Sequence, residues 1–201
     1  MDRDNAIEEI ALIRRVIDDS RKFTMDNGGY LILWGVIIAA AIFIEYWMLV
    51  TGNAASCLWL WIITIGIGWI VSMIWGFRQA SKHRTWPIGA RLVGMVWSSC
   101  GIAMTIFGFV GAGTGAIHGW AVSPTLAVVM GMGYAISGLV YRLRWVSFVG
   151  VAWWVGSLAM FYVRGIETLL IFGIMMVIFQ VVPGLVFYTT SKKKTAGAIS
   201  E

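Results

Sequence analysis

Hydrophobic residues lie in six long segments that short polar stretches separate, and they make up 59% of the chain. Soluble domains contain only about 45–50% of such residues. Each segment is close to the ~20 residues that a helix needs to cross about 30 Å of hydrocarbon. The pattern predicts an all-α, polytopic membrane protein with six transmembrane helices, because helices are the simplest structure that satisfies the backbone in lipid. The predicted spans are residues 29–50, 57–77, 92–110, 122–141, 145–163 and 168–188.

An amphipathic pattern precedes the first span. Within residues 4–22, apolar side chains recur at helical spacing and charged side chains occupy the other face. We predict a cytoplasmic amphipathic helix in residues 1–24, a transmembrane domain in residues 25–190 and a basic, flexible cytoplasmic tail in residues 191–201. The helix either lies on the inner leaflet or docks a soluble protein or a second copy of the chain. Its five basic and seven acidic residues, counted through Asp26, favour protein contact.

Charge is distributed unequally between the two ends of the spans. Of the 15 Lys and Arg residues, 14 fall in the N-terminal flank, the second and fourth loops and the C-terminal tail, and only Arg164 falls on the other side. The positive-inside rule therefore places both termini in the cytoplasm. This predicts a multi-pass protein of the cell membrane. The basic pI of about 9.5 then reflects topology and contact with the lipid bilayer, so we expect no nucleic-acid partner.

Small residues indicate where helices pack. The second span places Thr64, Gly68, Ser72 and Gly76 at four-residue steps. Such a seam lets another helix approach closely, either within one bundle or between copies in a homo-oligomer. The fourth and sixth spans both end in a GLV sequence followed closely by basic residues, and the third and fifth share Gly, Trp, Ala and Met at four of eleven aligned positions. This similarity predicts that the six-helix bundle is built from three repeated helical hairpins.

No catalytic motif fits its context. The segment EEIALIRR precedes the membrane, and GAGTGA follows a predicted membrane helix, whereas a dinucleotide-binding loop needs a strand before it. The sequence contains neither HExxH nor GxSxG. The two histidines, His83 and His118, lie in loops on opposite sides of the membrane and cannot share a metal. We therefore predict that the protein is not an enzyme, with no catalytic residue, no cofactor and no metal site.

Glu45 is an ionisable residue inside the first span, and such residues are functional candidates by default. The bulky residues Val36, Phe43 and Trp47 lie on the opposite side of a helical wheel, which turns Glu45 towards the bundle. Three interpretations remain open: a structural ion pair or snorkelling carboxylate, a gate or binding group, or a tolerated lipid-facing residue. Arg164 is the expected cationic partner.

Three further polar residues complete the candidate membrane site. Arg164 begins the loop after the fifth span, and Glu167, three residues later, competes with Glu45 for it. Gln180 lies in the sixth span with Gly173 and Gly184 on about the same face. A glutamine among glycines favours an interhelical hydrogen bond over contact with a solute.

Several stretches carry a resemblance to a known family. They are Trp34-Gly35, WGFRQASKHR at residues 75–84, SPTLAVVMGMGYAISGLVYRLRW at residues 123–145 and VVPGLVF at residues 181–187. Together they resemble an uncharacterised family of small six-helix bacterial integral membrane proteins, often encoded beside a winged-helix regulator. The resemblance covers nearly the whole chain. It implies the same topology in a bacterial cytoplasmic membrane and favours a protein partner, but it transfers no functional residue.

Two hypotheses about function follow. The first is a membrane-embedded interaction or regulatory protein that presents residues 4–22 to a cytoplasmic protein partner. The alternative is a small-solute or ion transporter or channel that uses Glu45 and Gln180. A continuous polar cavity containing Glu45 would favour transport, whereas a closed apolar interior with the carboxylate on Arg164 would favour the interaction protein.

Overall fold

The computed structural model describes residues 28–82 and 87–199. In these residues six helices are long and apolar enough to cross a membrane, which confirms the predicted all-α, polytopic fold. The helices are α1 (Gly28–Val50), α2 (Cys57–Lys82), α3 (Ile88–Thr105, continued by a π-helical turn at Ile106–Gly111), α4 (Gly119–Val140), α5 (Arg144–Val163) and α6 (Glu167–Met176, a π-helical turn at Val177–Val181, and Val182–Ile199). The amphipathic helix predicted in residues 1–24 lies outside the described residues.

The last helix is longer than the sequence pattern predicted. The backbone of α6 stays helical to Ile199, through most of the residues expected to form a flexible tail. Lysine and alanine are good helix formers, so a helix that has already begun in the membrane can extend through this segment.

Helices α4 and α5 form a tight hairpin. A Cβ atom added to Gly150 would lie 2.8 Å from both the amide nitrogen of Ala135 and the carbonyl oxygen of Gly131. One added to Gly138 would lie 2.5 Å from the amide nitrogen of Ser147. Glycine is therefore required at these positions, because two backbones pass each other closely.

Helices α1 and α6 form the second close pair. A Cβ atom on Gly184 would lie 2.9 Å from the amide nitrogen of Ile32, and one on Gly35 would lie 2.9 Å from Cγ of Gln180. Both close pairs join helices from different predicted hairpins. The three-hairpin repeat therefore stays a prediction. The most closely packed helix pairs are not the pairs that the repeat places in one hairpin.

The core lies between these two pairs, and α2 and α3 flank it. Fully or nearly fully buried side chains of the core include Ile42, Tyr134, Trp153, Met160 and Phe172. Helix α2 packs on α1, and α3 packs on α4. Within the described residues, α2 and α3 share no extensive contact with each other. The bundle is consequently open between them.

The small-residue seam of α2 receives side chains from α1. The ring of Trp34 fills the space over Gly68, and Nε1 of Trp34 donates to Oγ of Ser72 at 2.9 Å. The hydroxyl of Tyr30 donates to the same oxygen at 3.0 Å. Nothing within 4 Å would meet a Cβ atom on Gly76. The seam thus holds aromatic rings of α1 where the sequence predicted close contact with another helix.

Candidate functional site: a groove between the helices

A cavity of about 1690 Å³ occupies the opening between α2 and α3. We call it the groove; α1, α4 and α6 form its back wall. Helix α4 contributes one face, because its lining residues recur mainly at three- and four-residue spacing: Gly119, Val122, Ser123, Leu126, Met130, Tyr134 and Ser137. The groove therefore runs along the whole length of the helices, from an end at Glu45 to an end at Arg91.

The wall of the groove is mainly apolar and rich in flexible side chains. Five methionines line it, contributed by four of the helices: Met73, Met95, Met104, Met130 and Met176. Methionine is unbranched and polarisable, so it can adapt to apolar groups of different shapes. The groove is suited to an apolar body whose outline is not fixed in advance.

One indole crosses the opening at mid-depth. The ring of Trp69 on α2 reaches α3, where a Cβ atom on Gly101 would meet its Cζ2 at 3.6 Å. Both residues line the groove. Since the backbones of α2 and α3 do not pack together, this side chain closes the gap between them locally.

Glu45 lies at one end of the groove and is half-buried. The indole of Trp61 on α2 lies beside its carboxylate. Cys57 lines the groove at the same end. No Lys or Arg in residues 28–78 and 87–192, whose side chains the structure describes, forms an ion pair with Glu45. The helical wheel therefore placed this residue on the correct side, but nothing in the sequence pattern indicated its contact with Trp61.

Arg164 does not supply the partner expected for Glu45. It ends α5 in the left-handed backbone region, with φ of 49°. Its guanidinium lies over the ring of Trp120, 5.7 Å from the centroid, and its Nε donates to the carbonyl oxygen of Phe161 at 3.1 Å. The side chain is thus held against its own end of α5. Glu167 is exposed and does not line the groove.

Gln180 is bonded within the protein. It is only 4% exposed, and its Oε1 accepts a hydrogen bond from the hydroxyl of Tyr134 on α4. The ring of Tyr134 in turn meets Trp97 edge to face at 5.3 Å, and Nε1 of Trp97 donates to Ser137 at 3.1 Å. This is the interhelical hydrogen bond that the sequence favoured, and it belongs to a network that joins α3, α4 and α6.

The candidate polar residues therefore do not form one site. Glu45 and Gln180 both line the groove, whereas Arg164 and Glu167 do not. Of the described residues, no group of three or more His, Cys, Asp or Glu side chains is placed to hold a metal ion. Comparisons with protein-family models, with curated proteins and with solved structures found no match.

Proposed function

We propose that this multi-pass membrane protein binds an apolar or amphiphilic molecule that enters the groove from the bilayer. The observation that supports the proposal is the groove itself, which is apolar, extends along the helices and is open between α2 and α3. Pockets for drug-sized ligands measure about 300–1,000 Å³. At about 1690 Å³, the groove has room for a longer molecule, such as one with an extended hydrocarbon body.

The same proposal includes an orientation in the cell membrane. Five basic residues with described side chains, Arg78, Arg91, Arg142, Arg144 and Lys192, fall at or beside the helix ends where α1 begins. The positive-inside rule supports a cytoplasmic position for these ends. The Glu45 end of the groove would then lie near the outer surface. Reporter fusions to the C-terminus and to the loop between α3 and α4 should report opposite sides.

Photocrosslinking can test the groove directly. The protein would be reconstituted in lipid nanodiscs with a neutral diacylglycerol that carries a diazirine, and adducts would be mapped by peptide mass spectrometry. We expect adducts to concentrate on the groove face of α3, at Ser98 and Met104, relative to the exposed residues Val155 and Leu158 of α5. Labelling of both surfaces in proportion to their lipid exposure would refute the proposal.

A pair of glycine substitutions provides the matched control. Nothing within 4 Å would meet a Cβ atom on either Gly94 or Gly66, so both positions have room for a larger side chain. Gly94 lines the groove and Gly66 does not. Gly94→Trp should therefore reduce the groove adducts several-fold, and Gly66→Trp should leave them unchanged.

A second candidate function is supported by the sequence pattern of residues 4–22 and by the family resemblance. In this proposal, the amphipathic helix binds a cytoplasmic regulatory protein. Deletion of residues 1–24, or Ile10→Asp combined with Ile13→Asp on the apolar face, should remove a specific protein that copurifies from native membranes. Arg15→Gln on the charged face is the control. An unchanged set of copurifying proteins after deletion would contradict this function.

A further inference from the structure

We infer that the molecule bound in the groove is an amphiphilic cation whose positive charge pairs with Glu45. This inference rests on the proposed function and specifies its ligand. It starts from a charge that the described part of the protein leaves unpaired. Glu45 is half-buried at the end of an apolar groove, with the indole of Trp61 beside it and no ion pair to a Lys or Arg of residues 28–78 and 87–192.

Two arginines bear on this pairing: Arg164, the partner that the sequence predicted, and Arg91, which lines the groove. Arg164 lies over Trp120 and bonds to Phe161. Arg91 lines the groove, but in the first turn of α3, at the end where α1 begins. Tyr30, near the start of α1, lies at the same end as Arg91. Glu45 is fifteen residues further along α1, so about 22 Å of helix separates it from that end. A ligand cation at the Glu45 end would therefore meet a carboxylate without displacing an internal partner.

Trp61 adds a second reason to expect a cation. Its indole lies beside the Glu45 carboxylate and also lines the groove. The face of an indole attracts a cation, most strongly where water is excluded. An anion at the same position would meet only the repulsion of Glu45. The chemistry at this end of the groove consequently selects the sign of the ligand.

The rest of the ligand is specified by the apolar wall. Beyond Glu45, the groove continues along Ile65, Trp69 and Met104 and reaches Phe172 and Met176 on the back wall. These side chains can contact a hydrocarbon or aromatic body but offer it few hydrogen bonds. A zwitterionic phospholipid fits less well, because its phosphate would lie close to the Glu45 carboxylate. The ligand class is therefore a hydrophobic cation that lacks a neighbouring negative charge.

Two ions of the same shape test this inference. Radiolabelled tetraphenylphosphonium is a hydrophobic cation, and tetraphenylborate is its anionic counterpart of similar size. Binding would be measured with the full chain in nanodiscs of zwitterionic lipid, after subtraction of the signal from empty nanodiscs. We expect saturable binding of the cation and at least tenfold weaker binding of the anion. Equal binding of the two ions would overturn the inference. The natural ligand could be a membrane lipid or a free amphiphile, and a change of nanodisc lipid distinguishes the two. A lipid with an ammonium headgroup and no phosphate should compete with tetraphenylphosphonium if the natural ligand is a membrane lipid. The same lipid should leave binding of tetraphenylphosphonium unchanged if the natural ligand is a free amphiphile.

Variants locate the charge. Glu45→Gln should weaken binding of tetraphenylphosphonium at least tenfold, which corresponds to about 1.4 kcal/mol. Glu45→Asp keeps the charge and should retain most of the binding. Glu167→Gln removes a carboxylate that does not line the groove and should have no effect. Binding by Glu45→Gln as tight as that of the native chain would overturn the inference. If that variant fails to fold, the comparison of the two ions on the native chain still decides.

The outcomes separate this inference from the proposed function. If the neutral diazirine probe labels the groove but the cation is not preferred over the anion, the groove binds apolar molecules and the inference about charge is wrong. If neither the neutral probe nor the cation enters the groove, both fail. If binding of the cation depends on Glu45 but is unaffected by Gly94→Trp, the ion binds at the carboxylate without using the groove, and the inference of an amphiphilic ligand is wrong.

Discussion

Gly150→Ala should separate the α4–α5 hairpin at its closest point. The added methyl group would lie 2.8 Å from the carbonyl oxygen of Gly131 and from the amide nitrogen of Ala135. Favourable contacts between heavy atoms of this kind need about 3.5 Å or more. The helices must therefore move apart by about 0.7 Å or more, because the neighbouring atoms belong to the backbone and have no alternative rotamer.

The expected loss of stability follows from two opposing effects. Overpacking of a tight interface costs about 1–3 kcal/mol. Alanine recovers about 0.5–1 kcal/mol over glycine in a helix. We therefore expect Gly150→Ala to lower the free energy of unfolding by about 0.5–2 kcal/mol.

The same substitution at Gly66 is the control. Nothing within 4 Å would meet its Cβ atom, so only the gain in helix propensity remains. Gly66→Ala should be neutral or should stabilise the protein by up to about 1 kcal/mol. Titration of both variants in mixed micelles with a denaturing detergent, followed by circular dichroism, measures the difference. If Gly150→Ala is as stable as Gly66→Ala, the close packing of α4 on α5 is wrong.

Three further predictions concern polar groups. A double-mutant cycle of Tyr134→Phe and Gln180→Met should give a favourable coupling of about 0.6–1.7 kcal/mol in detergent unfolding, because a hydrogen bond between these side chains joins two membrane helices. Additive effects of the two substitutions would contradict the bond. Ser72→Ala removes the acceptor of two aromatic donors on α1 and should cost about 1–2 kcal/mol in the same assay, whereas a variant as stable as the native chain would exclude these bonds. A maleimide should alkylate Cys57, which lines the groove, faster than the buried Cys100, and tetraphenylphosphonium should slow the reaction at Cys57; a reaction at Cys57 that the cation does not slow would contradict a binding site beside this thiol.

The spans themselves could be predicted because their cause is local. Membrane thickness sets the length of an apolar segment, so hydropathy along the chain locates each helix without any knowledge of its neighbours. The predicted first span, residues 29–50, begins one residue after the observed start of α1 at Gly28. Residues 191–199 are helical, whereas the sequence predicted a flexible tail. A hydropathy pattern does not report whether a polar helix continues beyond the membrane.

The partners of the helices could not be predicted in the same way. Small residues show where a backbone can be approached, but they do not identify what approaches it. On α2, Gly68 receives the ring of Trp34, whereas Gly76 remains open to the groove. On α5, by contrast, Gly150 receives the backbone of α4. The difference depends on packing between residues that are distant in sequence.

Glu45 and Gln180 show why a polar residue in a membrane helix needs its surroundings before it can be assigned a role. Both line the groove, and both are candidates in the sequence. Gln180 is buried and bonded to Tyr134, and the network around it continues through neighbouring side chains, so its polar group has a structural use. The Glu45 carboxylate has about four acceptor positions, and the indole of Trp61 beside it offers a single N–H. The acceptor capacity left over within the described residues is what makes Glu45 the better candidate for binding a ligand.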